Sequence, residues 1–184
     1  RLALVDLEPL SRTRNYLQDF QVSTNEFVFQ EAVGNARALQ AIRTQRQDHF
    51  RIIQDTIRWP ARPSGDWCKG FLAALFDAEG SYSRGILRIT NTDDEIISWL
   101  IRCLRRFGFL YVKERQVRSD GRKPVVYVRL LGGIREAMRF FHMADPAITR
   151  KRNIEGLAIK IDARLRVASV EPLVFVIPLF DITT

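Results

Sequence analysis

Asp66-Trp67-Cys68-Lys69-Gly70-Phe71-Leu72-Ala73-Ala74-Leu75-Phe76-Asp77-Ala78-Glu79-Gly80-Ser81-Tyr82-Ser83 is the most strongly patterned stretch of the 184-residue chain. Its apolar run, 71–76, is far too short to span a bilayer. The segment starts at an Asp able to cap a first turn and stops at a Gly, so it predicts a packed helix. Gly70, Ala74 and Ala78 recur every four residues beside Ala73, a stripe with almost no side chain that lets a second helix approach closely. The helix ends in two carboxylates, Asp77 and Glu79, where the macrodipole is negative and an anion is disfavoured. Either these acids form a solvated helix end, or a positive group sits beside them. A divalent cation with oxygen ligands is one such group.

The nonapeptide Leu72-Ala73-Ala74-Leu75-Phe76-Asp77-Ala78-Glu79-Gly80 closely resembles the signature of the LAGLIDADG homing endonucleases, with Ala74 in place of Gly, Phe76 of Ile and Glu79 of the second Asp. The resemblance implies that two such helices pack at a twofold or pseudo-twofold axis through Gly70, Ala73, Ala74 and Ala78. It also implies that the last acid of each helix holds a divalent metal, Mg²⁺, at the scissile phosphates of duplex DNA. Glu79 is then the metal-binding and catalytic carboxylate, and Asp77 a structural acid at the helix end.

Composition agrees with a folded, polyanion-binding chain. Hydrophobic residues make up 46% and charged residues 27%, enough for a core, and the net charge of +8 points to DNA, RNA or acidic lipid. No run of 18 apolar residues exists, and Arg1-Leu2-Ala3-Leu4-Val5-Asp6 turns charged too soon for a signal peptide. No membrane span is expected, and the expected location is intracellular and cytoplasmic. Cys68 and Cys103 lack zinc-ligand spacing and read as core thiols, while His49 and His142 stand isolated.

Sliding the sequence by 87 places Arg1 on Arg88, Asp6 on Asp93, Glu8 on Glu95, Ser11 on Ser98, Leu17 on Leu104 and Phe20 on Phe107. Further along, Ala41-Ile42-Arg43-Thr44 falls on Tyr127-Val128-Arg129-Leu130 at a shift of 86. A duplicated unit follows, and the same offset puts the first copy of the helical motif before Arg1. The residues predict strands near 26–30 and 38–44, a helix over 48–58, a linker over 59–65, and the motif helix. Then come strands 81–83 and 86–90, a helix 93–107 and strands 110–117 and 125–131 around a 119–122 turn. Helices 134–142 and 146–167 close the pattern. This order resembles the α+β fold of the LAGLIDADG homing endonucleases, an αββαββα half-domain with a saddle-shaped antiparallel sheet. The expected division is a partial first half-domain (1–58) lacking its motif helix, the linker, a second half-domain (66–167), and a strand over 168–184. In that last segment Val170-Glu171-Pro172-Leu173, followed by Ile177-Pro178-Leu179-Phe180-Asp181-Ile182-Thr183-Thr184, resembles the start of an intein's C-terminal splicing block.

Residues 111–152 hold eleven Lys or Arg against four Asp or Glu, which concentrates charge on a hairpin able to enter a DNA groove. Arg84, Arg88, Thr90, Lys113, Arg115, Arg118, Arg122, Lys123 and Arg129 are the candidate DNA contacts. Strand alternation puts Arg88 and Thr90 on one face, and Lys113 and Arg115 on a face with Tyr111. From the resemblance, Asn91 takes the place of the residue that orients water, and Lys151 that of the cation near the scissile phosphate, with Arg150 and Arg152 as register alternatives. The expected function is metal-dependent, site-specific cleavage of double-stranded DNA by an intein-borne enzyme. That enzyme would be a pseudo-symmetric monomer when the preceding segment is present and otherwise a homodimer. With one motif helix, the chain alone is expected to bind DNA but to cleave both strands poorly or not at all. The alternatives are a non-catalytic DNA- or RNA-binding protein of the same fold (a maturase or regulator) and an inactive intein remnant.

Overall fold

The computed structural model describes residues 1–118, 121–156 and 169. In chain order the elements are β1 (Leu2–Leu4), α1 (Leu7–Asp19), β2 (Asn25–Gln30), β3 (Leu39–Arg43), α2 (Gln47–Thr56), α3 (Gly65–Glu79), β4 (Gly80–Ser83), β5 (Ile86–Asn91), α4 (Asp94–Arg106), β6 (Tyr111–Gln116), β7 (Val125–Leu130) and α5 (Gly133–Ala144). A 3-10 turn, Thr149–Arg152, follows.

Two antiparallel sheets result, one in the order β1-β3-β2 and one in the order β4-β5-β7-β6. Their registers repeat. Leu2 pairs with Ile42 and, 87 and 86 residues on, Ile89 pairs with Val128. Asn25 pairs with Arg43, and Val112 with Arg129 at the same two shifts. A bulge between Val28 and Gln30 adds one residue to β2 that β6 lacks, which is why the sequence offset drops from 87 to 86. Residues 1–56 therefore carry the strand order and pairing of 88–144.

The principal core lies where α3 packs on α4 and α5 above the second sheet. Cys68, Leu72, Leu75 and Phe76 of α3 meet Ile97, Leu100 and Leu104 of α4, Phe140 and Phe141 of α5, and Leu87, Ile89, Val126 and Val128 below. Each such side chain contributes roughly 1.5–3 kcal/mol on burial. Cys103 shares this core, and burial pushes its thiol up to about 12, so it is an inert core residue. Trp59, in the α2–α3 connection, stacks on Trp99 and meets Trp67 and Phe71 edge-on, fixing how α3 enters the core. In the first repeat His49 is buried and shares a hydrogen bond with Thr44, a structural role.

Three details differ from the sequence expectations. Ser64, one residue before the helix, caps α3 by accepting from the Trp67 amide, whereas Asp66 points outward and pairs with Lys69. Gly80 is extended (φ −85°) and not left-handed; a Cβ there would overlap the Phe76 ring and carbonyl, so the glycine supplies space for the helix-to-strand junction. After Pro146 the chain forms the short 3-10 turn in place of a long helix, because Asp77 holds the amides of Ala147 and Ile148 in a non-helical path. The rest of that expected helix, residues 119 and 120 of the turn, and the 168–184 strand apart from Ser169 lie outside the described residues. Among the described residues, no helix is long and apolar enough to cross a membrane.

Candidate active site and nucleic-acid surface

The C-terminal end of α3 gathers the site. Its last carbonyls carry partial negative charge, and the Lys151 ammonium sits on them, donating to Asp77 O at 2.6 Å and lying 3.5 Å from the oxygens of Phe76 and Ala78. The positive group required beside this helix end is thus a lysine. Burial, then the neighbouring Arg150, pushes the Lys151 ammonium below its usual range, while Asp77, Asp6 and Glu79 act in the opposite sense. Asp77 accepts from the amides of Ala147 (2.7 Å) and Ile148 (2.9 Å), so both of its oxygens hold the chain. Glu79, one residue before the strand, is exposed. Of the two acids at the helix end, Glu79 is the one open to a ligand.

The three consecutive cations after Ile148 have separate partners. Arg150 grips Asp6 bidentately at 2.8 and 2.6 Å, and Arg152 pairs with Asp145 at 2.7 Å. Lys151, between them, faces α3. Arg12 joins the cluster, donating to the Asp145 carbonyl and, at 3.1 Å, to its carboxylate, and Thr149 donates to Glu8 at 2.9 Å. The match of Asp6 to Asp93 at the 87-residue offset marks its place in the sequence but not its partner.

Asn91 closes β5, and its side-chain oxygen accepts from the Asp93 amide at 2.8 Å, so the turn into α4 fixes it. Because Gly80 pairs with Ile89, Thr90 and Asn91 lie beside the α3–β4 junction.

Cross-strand pairing divides the candidate DNA contacts between the two faces of the second sheet. Arg88 pairs with Arg129 and Thr90 with Tyr127, on the face opposite buried Leu87, Ile89 and Val128. Lys113 pairs with buried Val128, and Arg115 with buried Val126, so these two belong by parity to the helix-covered face, where Arg115 meets Asp94 of α4 at 3.5 Å. The open face forms a depression of about 490 Å³ lined by Arg88, Tyr127, Arg129, Glu114 and Gln116, with Arg115 of the edge strand β6 also reaching its wall. Among the described residues, Arg129 Nε is buried there with no hydrogen-bond partner. Arg84 stands at the β4–β5 hairpin tip in the left-handed region (φ 51°), followed by Gly85 (φ 75°), as a two-residue hairpin turn requires. Arg118, Arg122 and Lys123 are exposed in the β6–β7 connection.

Gly70, Ala74 and Ala78 are exposed on α3 and, with Ala73, line a groove of about 830 Å³ whose opposite wall is β1 and α1, including Leu2, Leu4, Pro9, Thr13 and Tyr16.

Among the described residues no three His, Cys, Asp or Glu side chains cluster closely enough to hold a metal alone. A single exposed carboxylate nevertheless fits Mg²⁺, which binds through one or two carboxylates completed by substrate phosphates and water.

Residues 66–143 match the family described as LAGLIDADG-like domain. No curated protein sequence matches significantly. Solved structures of the homing endonuclease I-DmoI are similar. One, of its mesophilic variants, is 17% identical with a TM-score of 0.52, covering 75% of this chain and 71% of that chain. A variant of I-DmoI in complex with its target DNA in the presence of Mn is 13% identical with a TM-score of 0.55, covering 77% and 75%. I-DmoI in complex with DNA and Mn is 16% identical with a TM-score of 0.52, covering 75% and 71%. Residues 66–143 therefore form a LAGLIDADG-like domain, and the αββαββα architecture around it has the fold of the LAGLIDADG homing endonucleases.

Proposed function

We propose that the chain is a homing-endonuclease module that binds duplex DNA on the open face of its second sheet and hydrolyses phosphodiester bonds with Mg²⁺ at the end of α3. The observation supporting this most strongly is the junction at Gly80, where an exposed Glu79, a partly buried lysine and a basic sheet face adjoin. Arg88, Arg129 and Arg84 contact phosphates and set the duplex on the sheet. Glu79 holds the metal, Lys151 stabilises charge developing on the phosphate, and Asn91 orients the attacking water through its amide. Bound Mg²⁺ supplies an activated water and neutralises the leaving oxygen. Double-strand scission needs a second acid-ended helix against the Gly70-Ala74-Ala78 stripe, contributed by the same polypeptide or a second copy. The likeness of 170–184 to a splicing block supports an intein as the carrier, and an intracellular, cytoplasmic setting goes with it.

The test is Mg²⁺-dependent strand scission in a plasmid pool carrying randomised inserts, with wild type and Glu79→Gln compared on whatever site is selected. The expected result is Glu79-dependent scission, weak for this chain alone, with duplex affinity kept in the variant. Scission that survives Glu79→Gln removes Glu79 from the active site. No scission, even with a second motif helix supplied, leaves the non-catalytic DNA-binding reading.

A further inference from the structure

The two repeats use the same aspartate differently. Asp93 and Asp6 stand 87 residues apart, each in extended backbone at the N-cap of its helix (φ −94° and −85°). Asp93 does what that position favours, accepting from the Glu95 and Ile96 amides at 2.8 and 3.2 Å. Asp6 makes no cap hydrogen bond; both of its oxygens are turned to the Arg150 guanidinium. The carboxylate is only 15% exposed and Arg150 is 54% exposed, so the acid is the fixed member and the arginine reaches in to it. A bidentate guanidinium–carboxylate pair restricts orientation as well as distance.

Arg150 immediately precedes Lys151 in a four-residue turn whose other side is held by the Asp77 carboxylate. The turn is therefore clamped from two helices of different repeats: α3 through Asp77, and the start of α1 through Asp6. We propose that Asp6 is a positioning residue whose ion pair with Arg150 fixes the turn so that Lys151 stays on the C-terminal carbonyls of α3 beside Glu79. This rests on the reading of that helix end as the active site, and it assigns to the first repeat a part in building a site whose acid and cation both come from outside it. It also explains why the capping geometry of Asp93 was not kept at Asp6.

The experiment maps lysine acylation by an N-hydroxysuccinimide ester, using mass spectrometry, in wild type, Asp6→Asn, Arg150→Gln, the double variant and Asp93→Asn, with Lys69, Lys113 and Lys123 as internal standards. Lys151 should be protected in wild type and in Asp93→Asn. Each of Asp6→Asn and Arg150→Gln should raise its acylation roughly fivefold or more, and the double variant should add nothing to either single change. Unchanged Lys151 acylation in the single variants overturns the proposal, as does additivity in the double variant or an equal rise in Asp93→Asn. In the scission assay on a selected duplex, Asp6→Asn should lower the rate at saturating DNA while leaving the dissociation constant in place. If the wild type does not cut even with a second motif helix supplied, the nuclease reading fails, whereas the acylation pattern still decides whether Asp6 positions Lys151.

Discussion

Asp77 and Glu79 are two residues apart and meet different fates, for a reason that lies seventy positions away. Asp77 satisfies two amides, those of Ala147 and Ile148, both residues being buried. Asp77→Ala should therefore cost about 2–4 kcal/mol, the penalty of two orphaned buried donors, measured by urea unfolding; a cost below 0.5 kcal/mol would mean that water or a local shift satisfies them. The spacing of the acids and the sign of the helix end were legible in the sequence, and so was the need for a positive neighbour. That Lys151 fills the need could be reached only by resemblance, since nothing local to 145–152 shows that Asp77 will bend this turn back onto α3. The partner of Asp6 was illegible for the same reason: helix-start chemistry is a local signal, and its replacement by an ion pair with Arg150 is a tertiary event.

At the scale of elements, α3 tests where the helix begins. Ser64→Ala should destabilise by about 1 kcal/mol, the usual value of an N-cap, whereas Asp66→Ala should stay within about 0.5 kcal/mol because Asp66 is solvent-exposed and its ion pair with Lys69 lies at the surface. The opposite order would restore Asp66 as the cap. The β4–β5 hairpin carries a second test, because Arg84 occupies a left-handed position better suited to Asn or Gly. Arg84→Asn should raise stability by about 0.5–1 kcal/mol in thermal unfolding and weaken duplex affinity; an affinity that stays unchanged or rises would argue against a DNA-facing cation there. Period-2 alternation correctly grouped Arg88 with Thr90, and Lys113 with Arg115. It could not tell that these pairs look in opposite directions, since that depends on the strand order β4-β5-β7-β6 and on which cross-strand partners are buried. The 87-residue repeat was visible in the sequence because helix starts and apolar positions coincide. The bulge at Val28 and Gln30 that changes the offset was not, because an inserted strand residue has no local signature of its own.

Taken whole, the molecule has one layer of helices over the second sheet, leaving the other face of that sheet open with Arg88 and Arg129 at its centre and Arg84, Arg118, Arg122 and Lys123 in the connections at its ends. Net charge of +8 makes association with nucleic acid favourable in general, but only a face that tracks the backbone displaces a defined number of counterions. The direct measurement is the affinity for duplex DNA as a function of salt, by fluorescence anisotropy, for wild type and for Arg88→Ala and Arg129→Ala. With about four phosphates engaged, affinity should fall on the order of a hundredfold between ~50 and ~200 mM salt, and each substitution should reduce the slope by about one. An affinity that changes less than about threefold over that range, with slopes unaltered in both variants, would contradict the assignment of the open sheet face as the DNA surface.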